Sequence, residues 1–474
     1  MRSQIEQMEL NCVINPSMQR TTMTTLSEGQ HVSLEGIVTR IMREQYEIND
    51  GSLSYVILTN ERLSLGDVVK VDGSLEDMSN MQVSAEKIEI LSVAETKQKT
   101  DEIKKKILEN IKINDTELLV KDEITEALKP EFIEMAKYLL LAQKLNRFIL
   151  LRFHGDADGI SAAFAITKFL RCKAEQQNAA IYSTRDAVRD LNTFNYQYAP
   201  LAVFVDFGAG QESIEALKLL HSAGVEIIII DHHPPVDEVS GIAVLLSPWQ
   251  VNDDPISSQY PAGYLACEIA RAAGIKEIDK LAGISCAGDK SKIIDVDDSD
   301  KDKALVLDFL AIYSSYGNNL DFYRNAIENP ELFKSILQQA KDKMKNLYES
   351  AIKLMKKHNA GELALYVIEL DNIIKEQEFP SRGKVVTMIS ENLGNERPVM
   401  IVGYGKKTIV IRLNQMAADA GYAADQLISE LKVSMKNFIE SGGGHAKAAA
   451  IRTHEGYTKS VCDALVELVK NREN

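Results

Sequence analysis

The sequence predicts an α/β protein with a parallel, doubly wound sheet at its centre. The clearest sign is a set of three apolar runs that each end in polar residues, at 147–153, 201–205 and 225–230. Continuous apolar runs are typical of parallel strands that are buried on both faces, and helical segments near 160–173 and 211–223 separate them. Such sheets bind ligands at the carboxyl ends of their strands. We therefore expect the polar residues that follow the three runs to meet at one edge.

The length and composition predict about three domains in a protein of the cytoplasm. The chain has 474 residues, of which 45% are hydrophobic. Its five cysteines are scattered without a Cys-x-x-Cys pair, which argues against a disulfide framework or a zinc ribbon. No signal peptide is visible, and no apolar run approaches the roughly 20 residues that cross a bilayer. We expect a soluble cytoplasmic protein that has no membrane partner.

The net charge of −15, from 54 basic and 69 acidic residues, argues weakly against a broad surface for nucleic acid. A protein that coats duplex nucleic acid usually presents a basic face. Any contact with nucleic acid is therefore expected to be local, in a groove that carries its own cations.

Residues 1–95 are predicted to form an N-terminal β-barrel domain that resembles an OB-fold. Short runs that alternate apolar and polar residues lie at 32–41, 54–58, 67–74 and 82–90. Turn residues separate them at Asn49-Asp50-Gly51 and Leu65-Gly66-Asp67. OB-folds usually bind single-stranded nucleic acid. Because only Tyr46 and Tyr55 are available for base stacking, protein docking is a close alternative role for this domain.

Four segments follow the barrel. A charged helical linker is expected to break at Pro130, and an apolar stripe from Leu332 to Leu354 predicts a long connecting helix. The linker is expected at 96–145 and the candidate catalytic domain at 146–329. The connecting helix is expected at 330–358 and a smaller C-terminal α/β domain at 359–474.

The polar residues after the three strands have the composition of a metal site. Asp156 and Asp158 stand two residues apart, so in extended geometry their carboxylates face the same side. Asp206 and His232, from neighbouring strand ends, can converge on them. Carboxylates and neutral imidazoles without a thiolate favour two divalent ions, Mn²⁺ above all or Mg²⁺, over zinc. A bridging Asp206 could hold the ions roughly 3.5–4 Å apart, a spacing that suits hydrolysis of a phosphate ester or anhydride.

A glycine run near the C-terminus predicts a contact with phosphate. Three glycines allow backbone N–H groups to approach an anion without side-chain hindrance, and a histidine adds a donor, in the segment Ser441-Gly442-Gly443-Gly444-His445. A flexible surface loop is the alternative interpretation of the same residues.

These motifs resemble those of a known family. The four ordered motifs of the DHH phosphoesterase superfamily are similar to His154-Gly-Asp-Ala-Asp-Gly, Asp206-Phe-Gly, Asp231-His-His and Gly288-Asp289. The signature of the DHH-associated C-terminal domain is similar to the glycine run that ends at His445. Within the superfamily, the Asp-Ala-Asp-Gly form and the OB-like domain resemble the RecJ-like nucleases, in particular the archaeal ones.

The resemblance implies a set of metal ligands and two residues for the chemistry. His154 would join five other ligands, which are Asp156, Asp158, Asp206, His232 and Asp289. Asp231 would be a ligand or would orient the imidazoles. His233 would contact the scissile phosphate or assist the leaving group.

The resemblance also implies a substrate-binding surface in the C-terminal domain. Arg412 would bind substrate phosphates together with Gly442, Gly443, Gly444 and His445. Arg382 and Lys384 are secondary candidates for the same surface. Alternatively, these two cations simply balance the acidic charge of the protein.

The implied activity is a metal-dependent exonuclease that hydrolyses phosphodiester bonds of single-stranded DNA or RNA by a two-metal mechanism. A narrow passage between the two α/β domains would exclude duplex. The enzyme would act in the archaeal replisome or in repair, with the GINS complex and the replicative helicase as possible partners. Two alternatives stay open: a DHH phosphodiesterase for short oligonucleotides or cyclic dinucleotides, and a replication scaffold that binds GINS or the helicase.

Overall fold

The computed structural model describes residues 27–43, 45–115, 117–313, 320–375, 378–394 and 396–472. Cys12 and the first part of the predicted N-terminal domain lie outside these ranges. The chain forms two compact units. One holds the described residues up to Ile111 together with Leu141–Arg147, and the other holds the described residues of Lys112–Leu140 and of the chain from Phe148 onward.

The first unit contains a closed barrel of five strands. The strands are β1 (His31–Met42), β2 (Gln45–Asn49), β3 (Ser54–Leu58), β4 (Val68–Asp77) and β5 (Gln82–Ile90). They pair in the order β1-β2-β3-β5-β4, and all pairs are antiparallel except β3 with β5. The alternating runs did not predict β2. The identification of this barrel with an OB-fold stays a prediction.

Alternate side chains of the strands fill the barrel, with Ile48, Ile57 and Val71 fully buried. Tyr46 and Tyr55 also belong to this core and are only 7% and 8% exposed. Their rings are therefore not available to stack on bases at the surface. The two aromatic residues that were candidates for base stacking therefore belong to the core of the barrel.

Two helices follow the barrel in the sequence. α1 (Val93–Asn110) begins at a capping box formed by Ser92 and Glu95. α2 (Glu123–Lys144) continues through Pro130, so the predicted break at this proline is wrong. Pro130 is exposed, and the carbonyl group that loses its helical partner can bind water there.

The second unit is built around a parallel sheet. Its strands are β6 (Ile149–His154), β7 (Lys173–Gln177), β8 (Leu201–Val205), β9 (Glu226–Ile230) and β10 (Val244–Leu246). They lie in the order β10-β9-β8-β6-β7, and every pair is parallel. All five residues of β8 are fully buried, which confirms that both faces of the sheet are covered.

Five helices accompany this sheet: α3 (Ala157–Thr167), α4 (Thr184–Phe194), α5 (Ile214–Ser222), α6 (Ala262–Ala272) and α7 (Asp279–Gly288). The helix expected at 160–173 therefore starts earlier and ends earlier. The side chain of Asp156 accepts a hydrogen bond from the Gly159 N–H at 3.0 Å and caps the first turn of α3. Lys173 already belongs to β7, a polar edge strand.

Three helices then lead to the second sheet: α8 (Asp298–Tyr313), α9 (Leu320–Glu328) and α10 (Pro330–Leu354). The expected connecting helix is α10, which begins with Asn329 as its cap and ends before Lys356. Its buried stripe is shorter than expected, because Leu332 and Leu354 near its ends are exposed.

The second sheet has six strands: β11 (Lys356–Ala360), β12 (Leu363–Glu369), β13 (Val399–Tyr404), β14 (Thr408–Leu413), β15 (Ile439–His445) and β16 (Ala448–Thr453). Their order is β11-β12-β13-β14-β16-β15, and only β12 and β13 pair in parallel. The accompanying helices are α11 (Arg382–Asn392), α12 (Gln415–Asp419), α13 (Ala424–Ser434) and α14 (Thr458–Asn471). The glycine run is therefore part of β15, not a loop.

Two further observations concern the described residues alone. None of their helices combines the length and apolar character needed to cross a bilayer. Among these residues the cysteines are free thiols, at Cys172, Cys267, Cys286 and Cys462.

Candidate metal centre

The polar residues after β6, β8 and β9 meet at the carboxyl edge of the parallel sheet. His154 ends β6, Asp206 follows β8, and His232 lies two residues beyond β9. Three groups of possible ligands, with ligand atoms within 4.8 Å of one another in each, are His154 with Asp156 and Asp206, Asp206 with His232 and His233, and Asp158 with His232 and Asp289. The three groups are linked through Asp206 and His232, and they contain the six residues that the resemblance implied as ligands but not Asp231.

Asp206 lies at the centre of this arrangement. One carboxylate oxygen lies 3.1 Å from His154 Nδ1, and the other lies 3.4 Å from His232 Nε2. The residue has a φ of 66°, in the left-handed region, and its N–H donates to the Ile230 carbonyl group at 2.9 Å. This backbone geometry turns the carboxylate between the two imidazoles. Asp206 therefore stands where a ligand shared by two ions would stand.

Asp158 is fully buried and firmly held. Its Oδ1 accepts hydrogen bonds from the Gly263 N–H at 2.7 Å and the Ser285 hydroxyl at 2.5 Å. Its Oδ2 accepts from the Ala262 N–H at 2.8 Å, at the start of α6. Burial and the nearby carboxylates of Asp206 and Asp289 raise the pKa of Asp158. A divalent cation would favour the ionised form of this carboxyl.

His232 provides the test of whether this set of residues suits a metal. Its Nδ1 lies 2.9 Å from the Ser258 carbonyl oxygen, which can only accept, so Nδ1 carries the proton and Nε2 a lone pair in the neutral ring. Nε2 is buried, and no described residue makes a well-aligned hydrogen bond to it. Asp289 Oδ2 is nevertheless only 3.1 Å away. A lone pair that faces carboxylate oxygens fits a divalent cation between them.

His154 and Asp156 form the other side of the centre. His154 Nδ1 lies 3.0 Å from Asp156 Oδ2, while Asp156 Oδ1 caps α3. Burial would raise the pKa of Asp156, but the charges of His154 and Lys384 outweigh it and the pKa is lowered. The role of Asp156 as a helix cap leaves one of its oxygens for a ligand.

Asp231 does not belong to any of the three ligand groups. Its Oδ2 accepts from the Ala209 N–H at 3.2 Å, and its Oδ1 lies 2.7 Å from His233 Nδ1. Although burial raises the pKa of Asp231, the adjacent His233 lowers it to about 2. Of the two roles considered from the sequence, the geometry matches an orienting partner of His233. The imidazole of His233, 52% exposed, keeps Nε2 for other contacts.

Two residues of the centre were missed by sequence reasoning. Ser285 holds Asp158, and Asp308 Oδ1 accepts the Ala157 N–H at 3.0 Å between the two metal-site aspartates. Asp308 also forms an ion pair with Lys384. The only sequence signal for Asp308 was a single acid inside the apolar run of α8. Ser285 gave no signal.

The residues expected to bind substrate lie on the second sheet. Arg412 donates to the Thr387 hydroxyl and to the Ile411 carbonyl group, each at 2.9 Å, and no described carboxylate pairs with it. Burial lowers the pKa of Arg412. Arg382, in contrast, forms an ion pair with Asp371. An arginine without a carboxylate partner in this position suits an anionic ligand.

The glycine run has a different structural role at each position. Gly444 has a φ of +143°, and a Cβ there would lie 2.4 Å from the Ala448 carbonyl oxygen. At Gly443 a Cβ would meet no atom within 4 Å. No hydrogen bond or ion pair among the described residues joins the segment from Gly442 to His445 to the metal-site carboxylates. The structure does not bring these residues into the metal centre itself.

Comparison with known proteins assigns the parallel sheet to a family. Residues 148–288 match the N-terminal domain of the DHH family. An uncharacterized protein of Methanocaldococcus jannaschii is 24% identical over an alignment that covers 86% of this chain and 63% of that protein. The chain thus spans less than two thirds of this relative.

Two solved structures share the fold. A DHH domain described as belonging to a family of ribosomal proteins superposes with a TM-score of 0.70 at 25% identity, covering 80% of this chain and 98% of that one. RecJ from Thermus thermophilus in complex with Mn²⁺ gives a TM-score of 0.50 at 17% identity, covering 76% of this chain and 56% of that one. Residues 148–288 thus form a DHH-family domain, and the fold around it is RecJ-like.

Proposed function

We propose that the protein is a metal-dependent exonuclease that hydrolyses phosphodiester bonds in single-stranded DNA or RNA. The observation that carries the proposal is the position of Asp206, whose two oxygens face two imidazoles in two separate groups of ligands. This is the arrangement that a two-metal phosphodiesterase needs.

Mn²⁺ or Mg²⁺ fits the ligand set best, because its members are carboxylates and imidazoles without a thiolate. One ion would be held by His154, Asp156 and Asp206, and the other by Asp158, His232 and Asp289, with Asp206 shared. When bound, such ions lower the pKa of a water and neutralise charge on the phosphoryl oxygens.

The protein's own residues supply orientation and proton transfer. Asp231 orients His233 through Nδ1 and, although burial lowers the pKa of His233, raises that pKa, so the protonated ring could donate from Nε2 to the leaving oxygen or contact the phosphate. Arg412, which has no carboxylate partner among the described residues, would offer its guanidinium group to a second phosphate of the strand.

Two features support a single-stranded substrate. The net charge of −15 leaves only local cations for nucleic acid, which suits a strand that enters the site by its end better than a duplex. An OB-fold identity of the barrel in the first unit would also fit single-stranded nucleic acid, through contacts other than stacking on Tyr46 or Tyr55. A phosphatase for mononucleotides would have little use for such a barrel. The association with GINS and the replicative helicase, and a role in replication or repair, rest on the family resemblance alone.

The test is digestion of end-labelled 20-mers, as DNA and as RNA, with Mn²⁺, Mg²⁺ or EDTA. Asp206→Asn is the sharpest inactive variant. Asparagine tolerates the left-handed backbone of this position, whereas Asp158→Ala would leave the Ala262, Gly263 and Ser285 donors without a partner. We expect metal-dependent laddering by the wild type and none by Asp206→Asn at an unchanged melting temperature.

Two results would redirect the proposal. Cleavage of dinucleotides or cyclic dinucleotides but not of 20-mers would identify a phosphodiesterase for short substrates. Full activity of Asp206→Asn on 20-mers would exclude the metal centre described above. The end whose label yields the ladder gives the direction of digestion.

A further inference from the structure

We propose that Lys384 binds a substrate phosphate beside the metal centre, and that the phosphate displaces Asp308 as its partner. The inference rests on the proposed nuclease function. It adds to the substrate-binding residues a cation from α11, a helix that accompanies the second sheet. Asp308 then has the role of a positioning residue that holds Lys384 until substrate arrives.

The first support is the helix on which Lys384 lies. Lys384, Thr387 and Glu391 occupy positions i, i+3 and i+7 of α11, which places them on one face. Their partners are Asp308, Arg412 and Lys290, respectively. Since Lys290 follows the metal-site residue Asp289, this face of α11 borders the metal centre.

The second support is the electrostatic surrounding of Lys384. Burial lowers its pKa, but Asp308 and Asp156 outweigh burial, with a smaller contribution from Asp289, and the pKa is raised. The ammonium group therefore contacts Asp308 and interacts electrostatically with the carboxylates of the metal centre. Its side chain is 39% exposed, while that of Asp308 is only 11% exposed. Lys384 is accessible to an incoming phosphate, and Asp308 is the inner member of the pair.

The third support is the position of Arg412. A Cβ at Gly383 would lie 3.5 Å from Arg412 Nη2, so the guanidinium group contacts the residue before Lys384. Arg412, on β14, therefore lies against the first turns of α11, which carry Lys384. Arg412 has no carboxylate partner among the described residues, and Lys384 forms its ion pair with Asp308. Adjacent cations of this kind match adjacent phosphates of one strand.

Asp308 connects this pair to the metal-binding turn. Its Oδ1 accepts the Ala157 N–H, between Asp156 and Asp158, and its Oδ2 pairs with Lys384. Burial raises the pKa of Asp308, with the ammonium opposing it. A lysine ammonium has three donors on a flexible stem. It can therefore turn from Asp308 to a phosphate while Asp308 keeps the Ala157 N–H.

The experiment is a double-mutant cycle on strand binding. A fluorescein-labelled single-stranded 12-mer is titrated with the wild type, Lys384→Met, Asp308→Asn and the double variant, in Ca²⁺, with fluorescence anisotropy as the readout. Lys341→Met is the matched control, because Lys341 forms an ion pair at 2.7 Å with Asp302, which lies on α8 as Asp308 does. Cleavage of the 20-mer in Mn²⁺ is measured in parallel for every variant.

We expect Lys384→Met to weaken binding by about 10- to 100-fold, as for loss of a charged hydrogen bond, and Lys384→Arg to restore part of it. Asp308→Asn should tighten binding by about 3-fold or more, since it removes the competitor and keeps an acceptor for Ala157. In the Lys384→Met background, Asp308→Asn should have no effect. The slope of log Kd against log salt should fall by about 0.7 in Lys384→Met, the value for one phosphate contact on a single strand.

Other outcomes overturn the inference. If Lys384→Met and Asp308→Asn weaken binding equally and leave the salt slope unchanged, the pair is only a structural link. If Asp308→Asn tightens binding equally with and without Lys384, the gain is a general charge effect. If the wild type binds the 12-mer without cleaving the 20-mer, the proposed nuclease function is refuted. The binding data of the double-mutant cycle then still test the role of Lys384. A wild type that does not bind the 12-mer refutes both.

Discussion

The two sheets of the second unit hold their functional residues in different ways. At the parallel sheet, Asp206 and His232 follow strand ends, and backbone groups hold Asp158 through the N–H groups of Ala262 and Gly263. At the mixed sheet, Arg412 and Gly443 belong to strands, and no described carboxylate fixes the arginine. The first site is preorganised for its ligand, and the second has groups that a ligand can still arrange.

The comparison predicts that substitutions in the metal centre cause the largest loss of activity. Asp289→Asn removes a carboxylate that lies 3.1 Å from His232 Nε2 and is 25% exposed. We expect kcat on the 20-mer to fall by about 100-fold or more and the affinity for Mn²⁺ to fall with it, without a change of melting temperature. Asp295→Asn, an exposed acid of the same loop outside the ligand groups, is the control. Equal losses in both variants would remove Asp289 from the centre.

A smaller loss is expected from a residue that supports the centre without entering it. Ser285→Ala deletes the hydroxyl donor to Asp158 Oδ1 and leaves its two backbone donors. We expect about a 10- to 100-fold loss in Mn²⁺ affinity or in kcat, measured by calorimetry and by cleavage. Ser350→Ala, which removes an exposed hydroxyl on α10, should be silent. An unchanged Mn²⁺ affinity and kcat for Ser285→Ala would show that backbone donors alone position Asp158.

The glycine run offers a matched pair for the second sheet. Gly444→Ala places a Cβ against the Ala448 carbonyl group at a positive φ, so we expect a loss of unfolding free energy of about 1–3 kcal/mol. Gly443→Ala meets no protein atom and should keep the stability of the wild type. If substrate approaches this strand, KM should rise by about 5-fold in Gly443→Ala alone. Wild-type KM for this stable variant would place the strand away from the substrate.

The smallest effect on strand binding is expected in the barrel. Tyr55→Leu removes an aromatic ring from the core, so it should lower the melting temperature but change the Kd for the 12-mer by less than about 2-fold. Loss of base stacking would instead cost about 1–3 kcal/mol per base. A large increase in Kd at a modest loss of stability would show that this ring contacts nucleic acid after all.

The same difference between the sheets explains what the sequence could predict. Asp206 and His232 were found because they follow uninterrupted apolar runs, and parallel strands fix where such residues meet. β7 was missed because Lys-Ala-Glu-Gln-Gln carries no apolar pattern, and only the pairing with β6 makes it a strand. For the glycine run a loop stayed open as the alternative, because glycines give no sign of the partner strand β16.

Residues that act through a neighbour were beyond sequence reasoning. Asp308 and Ser285 lie inside helices α8 and α7, and their importance depends on what those helices pack against. The continuation of α2 through Pro130 depends in the same way on exposure, which a sequence does not state. The exchange that we propose at Lys384 is visible only because α11 lies beside α8 in the folded chain.

The left-handed backbone at Asp206 has a practical consequence. Few residues accept this conformation, and asparagine is among those that do. The Asp206→Asn protein should therefore keep its shape and its surface for the strand while the chemistry stops. Such a protein would serve as bait: crosslinked in living cells and sequenced through the strands it retains, it would report which nucleic acids reach this site.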